Sequence, residues 1–285
     1  MKTAYGKYEE IEYTIFDPTG NITALVETAV DPSDQPSVAA GIIGLHPEVE
    51  QVGFVTFAAA GADAPAADVP VSLRMAGGEF CGNATMCAAA LYMMASGMTG
   101  EASVRVKVSG TKDPLDVSLV RRDAVSIDGA VTMPPAIGIE ELKLSDGMTP
   151  GSNALRLPVV RMEGIAHVII EPDSGFFGLR DDSALAETLL RDWCGVLGAE
   201  CLGMMFVGDS EDSIRALTPL VYVPGADTMF WENSCASGSA AAGIYLASKT
   251  GRPVDVTFSE PAGRLRVTSD PAAGRTVLYG SLALN

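Results

Sequence analysis

The chain has only two histidines, His46 and His167, among 285 residues. A Ser-His-Asp site needs a well-placed imidazole and a His-rich metal site needs several, so both are hard to build here. Basic residues are scarce too: 19 Lys and Arg stand against 36 Asp and Glu, for a net charge of −17. Nucleic acid and anionic membranes need a basic footprint, so neither is expected as a partner. A small anionic substrate stays possible, because local backbone dipoles can hold it. There is no Cys-x-x-Cys, and Cys81-x5-Cys87 lacks zinc spacing. No dithiol redox motif and no metal is therefore expected. Five cysteines, odd in number and unevenly spaced, do not make a disulfide framework and suit a reducing compartment. No apolar run reaches the ~18 residues of a membrane span. Met1-Lys2-Thr3-Ala4 leads into charged Lys7-Tyr8-Glu9-Glu10 with no apolar leader, so the expected location is the cytoplasm. None of the few lysines lies in a pyridoxal-phosphate setting, and no cofactor is expected.

What is present is a foldable chain, 47% hydrophobic and 19% charged. Its length suits one large domain or two. The order of elements repeats. Asp31-Pro32-Ser33-Asp34 starts a helix that runs to about His46, followed by strands at 51–57 and 71–75. A turn at Cys81, a helix to about Ala95 and an alternating strand at 104–108 come next. Later, Asp181-Asp182-Ser183 starts a helix through Trp193, followed by strands at 202–207 and 219–223. A turn at Cys235, a helix to about Ser248, and strands at 254–258 and 264–268 complete the second series. Met133-Pro134-Pro135 breaks strand pairing. The expected domains are therefore 1–133 and 134–274, with a last strand from about 275 to 285 returning to the first. The two helices that follow the cysteines are apolar on every side, so each should be buried. The expected fold is α+β: two pseudo-symmetric domains, each a mostly antiparallel sheet wrapped around a central helix.

Cys81 lies in Gly78-Glu79-Phe80-Cys81-Gly82-Asn83-Ala84, and Cys235 in Glu232-Asn233-Ser234-Cys235-Ala236-Ser237-Gly238. Each opens an Ala-rich helix after a strand-like run. A thiol at a helix N-terminus should lose its proton more readily than the usual ~8.5. The small residues Gly82, Asn83, Ala236, Ser237 and Gly238 leave N–H groups open to a carboxylate. Two thiols on opposite sides of one carbon can invert it, one removing a proton and the other returning one. The carbanion would need N–H donors aimed at the carboxylate. Glu79 and Glu232 lie beside the cysteines, where each can bind an ammonium group or cap the turn. Cys87, Cys194 and Cys201 read as small buried hydrophobes. His167 reads as scaffold, and His46 as a cap on helix carbonyls.

At these residues the chain resembles the diaminopimelate epimerase superfamily of cofactor-independent racemases and epimerases. Within it, the chain is most similar to histidine racemases of staphylopine-type metallophore synthesis. The specific segments are Phe80-Cys81-Gly82-Asn83-Ala84-Thr85-Met86 and Trp231-Glu232-Asn233-Ser234-Cys235. Asp17–Thr23, Glu50–Phe54, Val106–Gly110, Gly203–Met205 and Leu220–Pro224 support them. The resemblance implies a diaminopimelate-epimerase-like fold and Cys81 and Cys235 as the acid–base pair. It also implies carboxylate binding at Gly82, Asn83, Ser237 and Gly238, a substrate-pocket role for Asn21 and a supporting one for Glu50. A homodimer is compatible with the resemblance. Two departures stand out. The family's Gly-Asn-Pro-His corresponds here to Gly164-Ile165-Ala166-His167, and Thr228-Met229-Phe230-Trp231-Glu232 lacks the family's Glu-Arg pair. Both losses remove the grip on a second amino-acid head, which favours a substrate with one head group such as histidine. Another amino acid, including diaminopimelate, remains an alternative. So does an isomerase of the phenazine-biosynthesis type, although the two thiols count against it.

Overall fold

A computed structural model describes residues 1–5, 8–58, 68–144, 155–211 and 213–285. Lys7 of the charged N-terminal run lies outside them. The chain divides into two compact units, Met1–Met133 with Val277–Asn285, and Pro134–Thr276. The secondary structure is rich in strands.

The first unit begins with β1 (Lys2–Tyr5), β2 (Tyr8–Pro18), β3 (Thr23–Val26) and α1 (Gln35–Leu45). β4 (Gln51–Phe57), β5 (Val71–Met75) and α2 (Gly82–Ala95) follow. β6 (Glu101–Val108), β7 (Leu115–Arg121) and β8 (Ser126–Thr132) complete the series. Most neighbouring strands pair antiparallel, but β3 with β4 and β5 with β6 run parallel. Parallel neighbours need a crossover, and α1 and α2 supply the two. α2 is Ala-rich, which favours helix without side-chain entropy cost. It is buried from Gly82 to Leu91 and again at Met93, with strands β2 to β8 packed around it. A second cluster, including Ile11, Tyr13, Val26, Val38, Ile42 and Phe54, seats α1 on the sheet.

The second unit opens with β9 (Gly138–Leu144), β10 (Leu155–Met162), β11 (Ile165–Ile170) and α3 (Ser183–Leu197). Then come β12 (Leu202–Glu211), β13 (Ile214–Val223), β14 (Thr228–Trp231), α4 (Ala236–Thr250), β15 (Val254–Glu260) and β16 (Gly263–Asp270). β11 runs parallel to β12 and β13 to β15; the remaining pairs are antiparallel. α3 is amphipathic, with Ala186, Leu189, Leu190 and Trp193 turned to the core. Asp182 caps it by accepting the Leu185 N–H at 3.2 Å. α4 is buried from Ala236 to Gly243 and packs on β10, β11, β12, β15 and β16. It stops where Gly251 takes the left-handed conformation.

The last strand, β17 (Arg275–Leu284), pairs antiparallel with β8 from Val277 opposite Thr132 to Ala283 opposite Ser126. It also meets the end of β2, Leu282 opposite Pro18. Among the described residues no helix is long and apolar enough to cross a membrane.

Candidate active site

Cys81 is the N-cap of α2, in extended backbone, and its Sγ accepts the Ala84 N–H at 3.4 Å. The Thr85 hydroxyl donates to the Cys81 carbonyl at 2.7 Å, which fixes the turn from the helix side. From the sheet side, Ser109 at the end of β6 does the same. Its hydroxyl accepts the Met75 N–H at 2.9 Å and donates to the Glu79 carbonyl at 2.7 Å. Gly110 then passes so close that a Cβ there would lie 2.5 Å from the Phe80 nitrogen. Gly82 and Asn83 are buried and Cys81 is half-buried. Burial raises the pKa of Glu79, and its carboxylate accepts N–H groups of its own turn, Glu79 and Gly77, while its Oε2 is buried with no hydrogen-bond partner among the described residues. Cys87, one turn and a half further along α2, is sealed in the core. Burial, then the neighbouring Cys81 and Asp17, push its thiol well up, as suits an inert packing residue.

Asn21 and Glu50 meet each other. The parallel pairing of β3 and β4 sets the residues before these strands side by side, with the Glu50 and Gln51 N–H groups donating to the Ile22 carbonyl. The Asn21 amide donates to Glu50 Oε2 at 2.8 Å, and Asn21 is buried.

Cys235 is the N-cap of α4 and its Sγ accepts the Gly238 N–H at 3.4 Å. The Ser237 hydroxyl lies 3.6 Å from the sulfur. Ala236, Ser237 and Gly238 are buried beneath it, and Cys235 is only 5% exposed. The helix terminus does not lower this thiol's pKa as expected from the sequence. Burial pushes it well up, the Glu232 and Glu260 carboxylates add to the push, and the thiol donates a hydrogen bond to Glu232. Desolvation and two like charges outweigh the partial positive charge of a helix end. Glu260 is absent from the sequence reading. It ends β15 buried, and Oε2 accepts the Cys235 N–H at 2.5 Å. The signal was there: strand alternation puts Val256, Phe258 and Glu260 on one inward face.

The family model described as "Histidine racemase CntK N-terminal domain" matches residues 10–277. The chain belongs to this histidine racemase family. It is an isomerase, an amino-acid racemase. A histidine racemase of Staphylococcus aureus is 28% identical over 263 residues, 91% of this chain and 88% of that protein. One from Fusobacterium nucleatum is 28% identical over 250 residues, 85% of this chain and 83% of its own. Among solved structures, a predicted epimerase from Pseudomonas aeruginosa is similar with a TM-score of 0.65 at 13% identity, covering 96% of each chain. A probable proline racemase from Agrobacterium radiobacter is similar with a TM-score of 0.60 at 15% identity, covering 96% of this chain and 90% of that one. These likenesses establish a shared racemase/epimerase fold.

In this racemase the two histidines have separate environments. His167 on β11 is fully buried, and neither ring nitrogen has a hydrogen-bond partner among the described residues. Burial pushes its pKa down to about 3, so the ring is neutral. His46 is at the C-cap of α1, but its ring does not cap carbonyls. Nε2 instead meets the Tyr13 hydroxyl at 2.9 Å, and only the backbone N–H of His46 closes the helix, donating to Ile42. Trp231 stacks on Phe206 at 5.9 Å and donates its Nε1–H to Glu187 at 3.1 Å. Met229 and Trp231 pack on the core of their unit. Among the described residues no group of three or more His, Cys, Asp or Glu is placed to hold a metal ion.

Proposed function

We propose that this enzyme interconverts L- and D-histidine without a cofactor, using Cys81 and Cys235 as the acid–base pair. The observation that carries the mechanism is the matching pair of caps. Each cysteine begins a helix buried along its first turns, and each sulfur accepts the N–H three residues on at 3.4 Å. The family model over 10–277 and the curated histidine racemases support histidine as substrate. The same reading takes the two units as pseudo-symmetric, diaminopimelate-epimerase-like halves. Each unit runs helix, strands, Cys turn, helix, strand, with two strands before Cys81 and three before Cys235, β14 being the additional one that the sequence pattern omits, and each has crossover helices between parallel strands.

The reaction breaks the Cα–H bond on one face and forms it on the other. One cysteine, as thiolate, takes the α-proton; the other, as thiol, delivers its own proton to the opposite face. The electron pair left on carbon delocalises into the carboxylate. The N–H groups at Gly82 and Asn83, and at Ser237 and Gly238, are the donors proposed to stabilise it there. Burial, with the Glu232 and Glu260 carboxylates adding to it, favours the protonated form of Cys235, so Cys235 is proposed as the proton donor of the resting enzyme. After one turnover the two sulfurs have exchanged roles. Their titrations are therefore coupled.

A chiral assay of the reduced protein, without added cofactor, against a panel of L-amino acids and LL-diaminopimelate tests this. D-Histidine is expected to form. In D2O the product carries deuterium at the α-carbon. Cys81→Ala and Cys235→Ala are each expected to abolish inversion. Turnover that survives both substitutions, or inversion that retains the original hydrogen, would falsify the two-thiol mechanism. Turnover of another panel member in place of histidine would overturn the substrate.

A further inference from the structure

Glu260 has a geometry that the two-thiol scheme leaves unexplained. It is the final residue of β15, pairs with Gly263 across a tight hairpin and is 6% exposed. The hairpin tip is fastened to the loop that enters the Cys235 turn, because the Ala262 N–H donates to the Asn233 carbonyl at 3.1 Å. The carboxyl then spans the start of α4. Oε2 accepts the Cys235 N–H and Oε1 accepts the Ser239 hydroxyl, each at 2.5 Å. A carboxylate at a helix start is ordinarily an exposed cap that gains from the helix dipole. This one is buried, with a second buried carboxyl, Glu232, beside it.

We propose that Glu260 is a positioning residue for Cys235: its carboxyl ties the N-cap to the first turn of α4, and its own proton governs whether the thiol stays protonated. The inference rests on the acid–base reading of Cys235.

The carboxyl has two forms that use the same contacts. Ionised, it accepts from both the Cys235 N–H and the Ser239 hydroxyl. Protonated, it still accepts the Cys235 N–H, while its own O–H donates to Ser239 Oγ and the serine hydroxyl turns away. Only hydrogens move between the two forms. Burial favours the protonated form and raises the pKa to about 8; the hydrogen bonds from Ser239 and the Cys235 N–H pull the other way, and Glu232 adds to the rise. Cys235 itself is faced by Glu232 from the preceding loop, Ser237 from α4 and Glu260 from β15. As the solution becomes more basic, Glu260 gains a negative charge next to a thiol that would otherwise ionise. Like charges oppose that ionisation. Cys235 thereby keeps its proton over a wider pH range, and the pair avoids the dead state in which both sulfurs are thiolates.

Glu260→Gln separates the two forms. Its amide oxygen accepts the Cys235 N–H and its NH2 donates to Ser239, copying the protonated carboxyl without the ability to ionise. The readout is the pH dependence of Cys235 alkylation by iodoacetamide, followed by peptide mass spectrometry, beside the pH profile of kcat/KM. Glu260→Gln is expected to lower the alkylation midpoint of Cys235 by about one pH unit or more. Glu260→Ala is expected to lose activity that Gln restores. Ser239→Ala removes a donor that favours the ionised carboxyl, so the break assigned to Glu260 moves to higher pH. A Glu260→Gln protein that titrates like the wild type overturns the inference. Should that variant not fold, an unmoved break in Ser239→Ala overturns it instead. Racemisation surviving in Cys235→Ala would sink the acid–base reading, an outcome the alkylation data do not depend on.

Discussion

Cys81 and Cys235 could be picked out of the sequence because small residues and apolar helices surround both of them. Their chemistry could not be read from the same letters. The helix terminus suggested an easily ionised thiol. Yet the decisive neighbours of Cys235 are burial and two carboxylates, one of them 25 residues away in sequence. Sequence spacing reports local dipoles well and tertiary desolvation hardly at all. His167 gives the clearest single-residue test of desolvation. An unfolded histidine takes up a proton below about pH 6.5. The native ring does not until about pH 3. Between those values the unfolded state binds more protons, so native stability falls as pH falls. Glu260 has the opposite sign: its native proton persists to about pH 8, and it lowers stability as pH rises from the ordinary carboxylate range. Replacing His167 with Met isolates the first effect. Urea unfolding at pH 7, 6 and 5 is expected to show the wild type losing up to about 1.4 kcal/mol more per pH unit than the variant. Parallel slopes would mean that the native ring is protonated in place.

Among the elements, the long helices and the strands with strict alternation were legible in the sequence. α2 was read to within about a residue at its ends, α1 at its C-terminal end with its start placed in the 31–34 turn just before Gln35, and β4 and β5 over their full length. The strands that escaped include β2, β3, β7, β8, β10 and β11. β11 is buried at every position, so no alternation marks it. β7 does alternate, and its omission is a plain miss. Nor did the sequence show how the Cys81 turn is held. That depends on Ser109 and Gly110, which a parallel neighbour brings in from the end of β6. Gly110 has φ +76°, and a side chain there would also press on the Phe80 nitrogen and the Glu79 carbonyl carbon. Gly110→Ala is therefore strained both ways and displaces the turn itself. The expected loss is about 1–3 kcal/mol of stability together with a fall in kcat. Ser109→Ala, which leaves the Met75 N–H without its acceptor, costs about 1–3 kcal/mol by the same assay. A Gly110→Ala enzyme with native stability and turnover would show that the turn tolerates the shift. In the other unit, Gly238 leaves similar room for Met205, since a Cβ there would lie 2.1 Å from its sulfur.

At the scale of the whole molecule, each unit has its own core, and the chain crosses from one unit to the other twice. The last strand belongs to the first unit, where it completes the pairing of β8 and extends to β2. Removing residues 275–285 is expected to strip amide protection from β8 and from the end of β2, while β12 and β13 keep theirs. Hydrogen exchange read by mass spectrometry gives the answer, and equal loss in both units would refute a local role for β17. The same connectivity reverses the order in which the molecule can be completed during synthesis. Residues 134–276 form a unit from one continuous stretch of chain. The first unit emerges earlier but stays open along β8 until residue 277 and its successors appear. At about 5–20 residues per second, that wait is on the order of ten seconds. For that time β8 lacks the partner strand it has in the finished enzyme, so the yield of this protein is expected to respond to translation speed and chaperone supply.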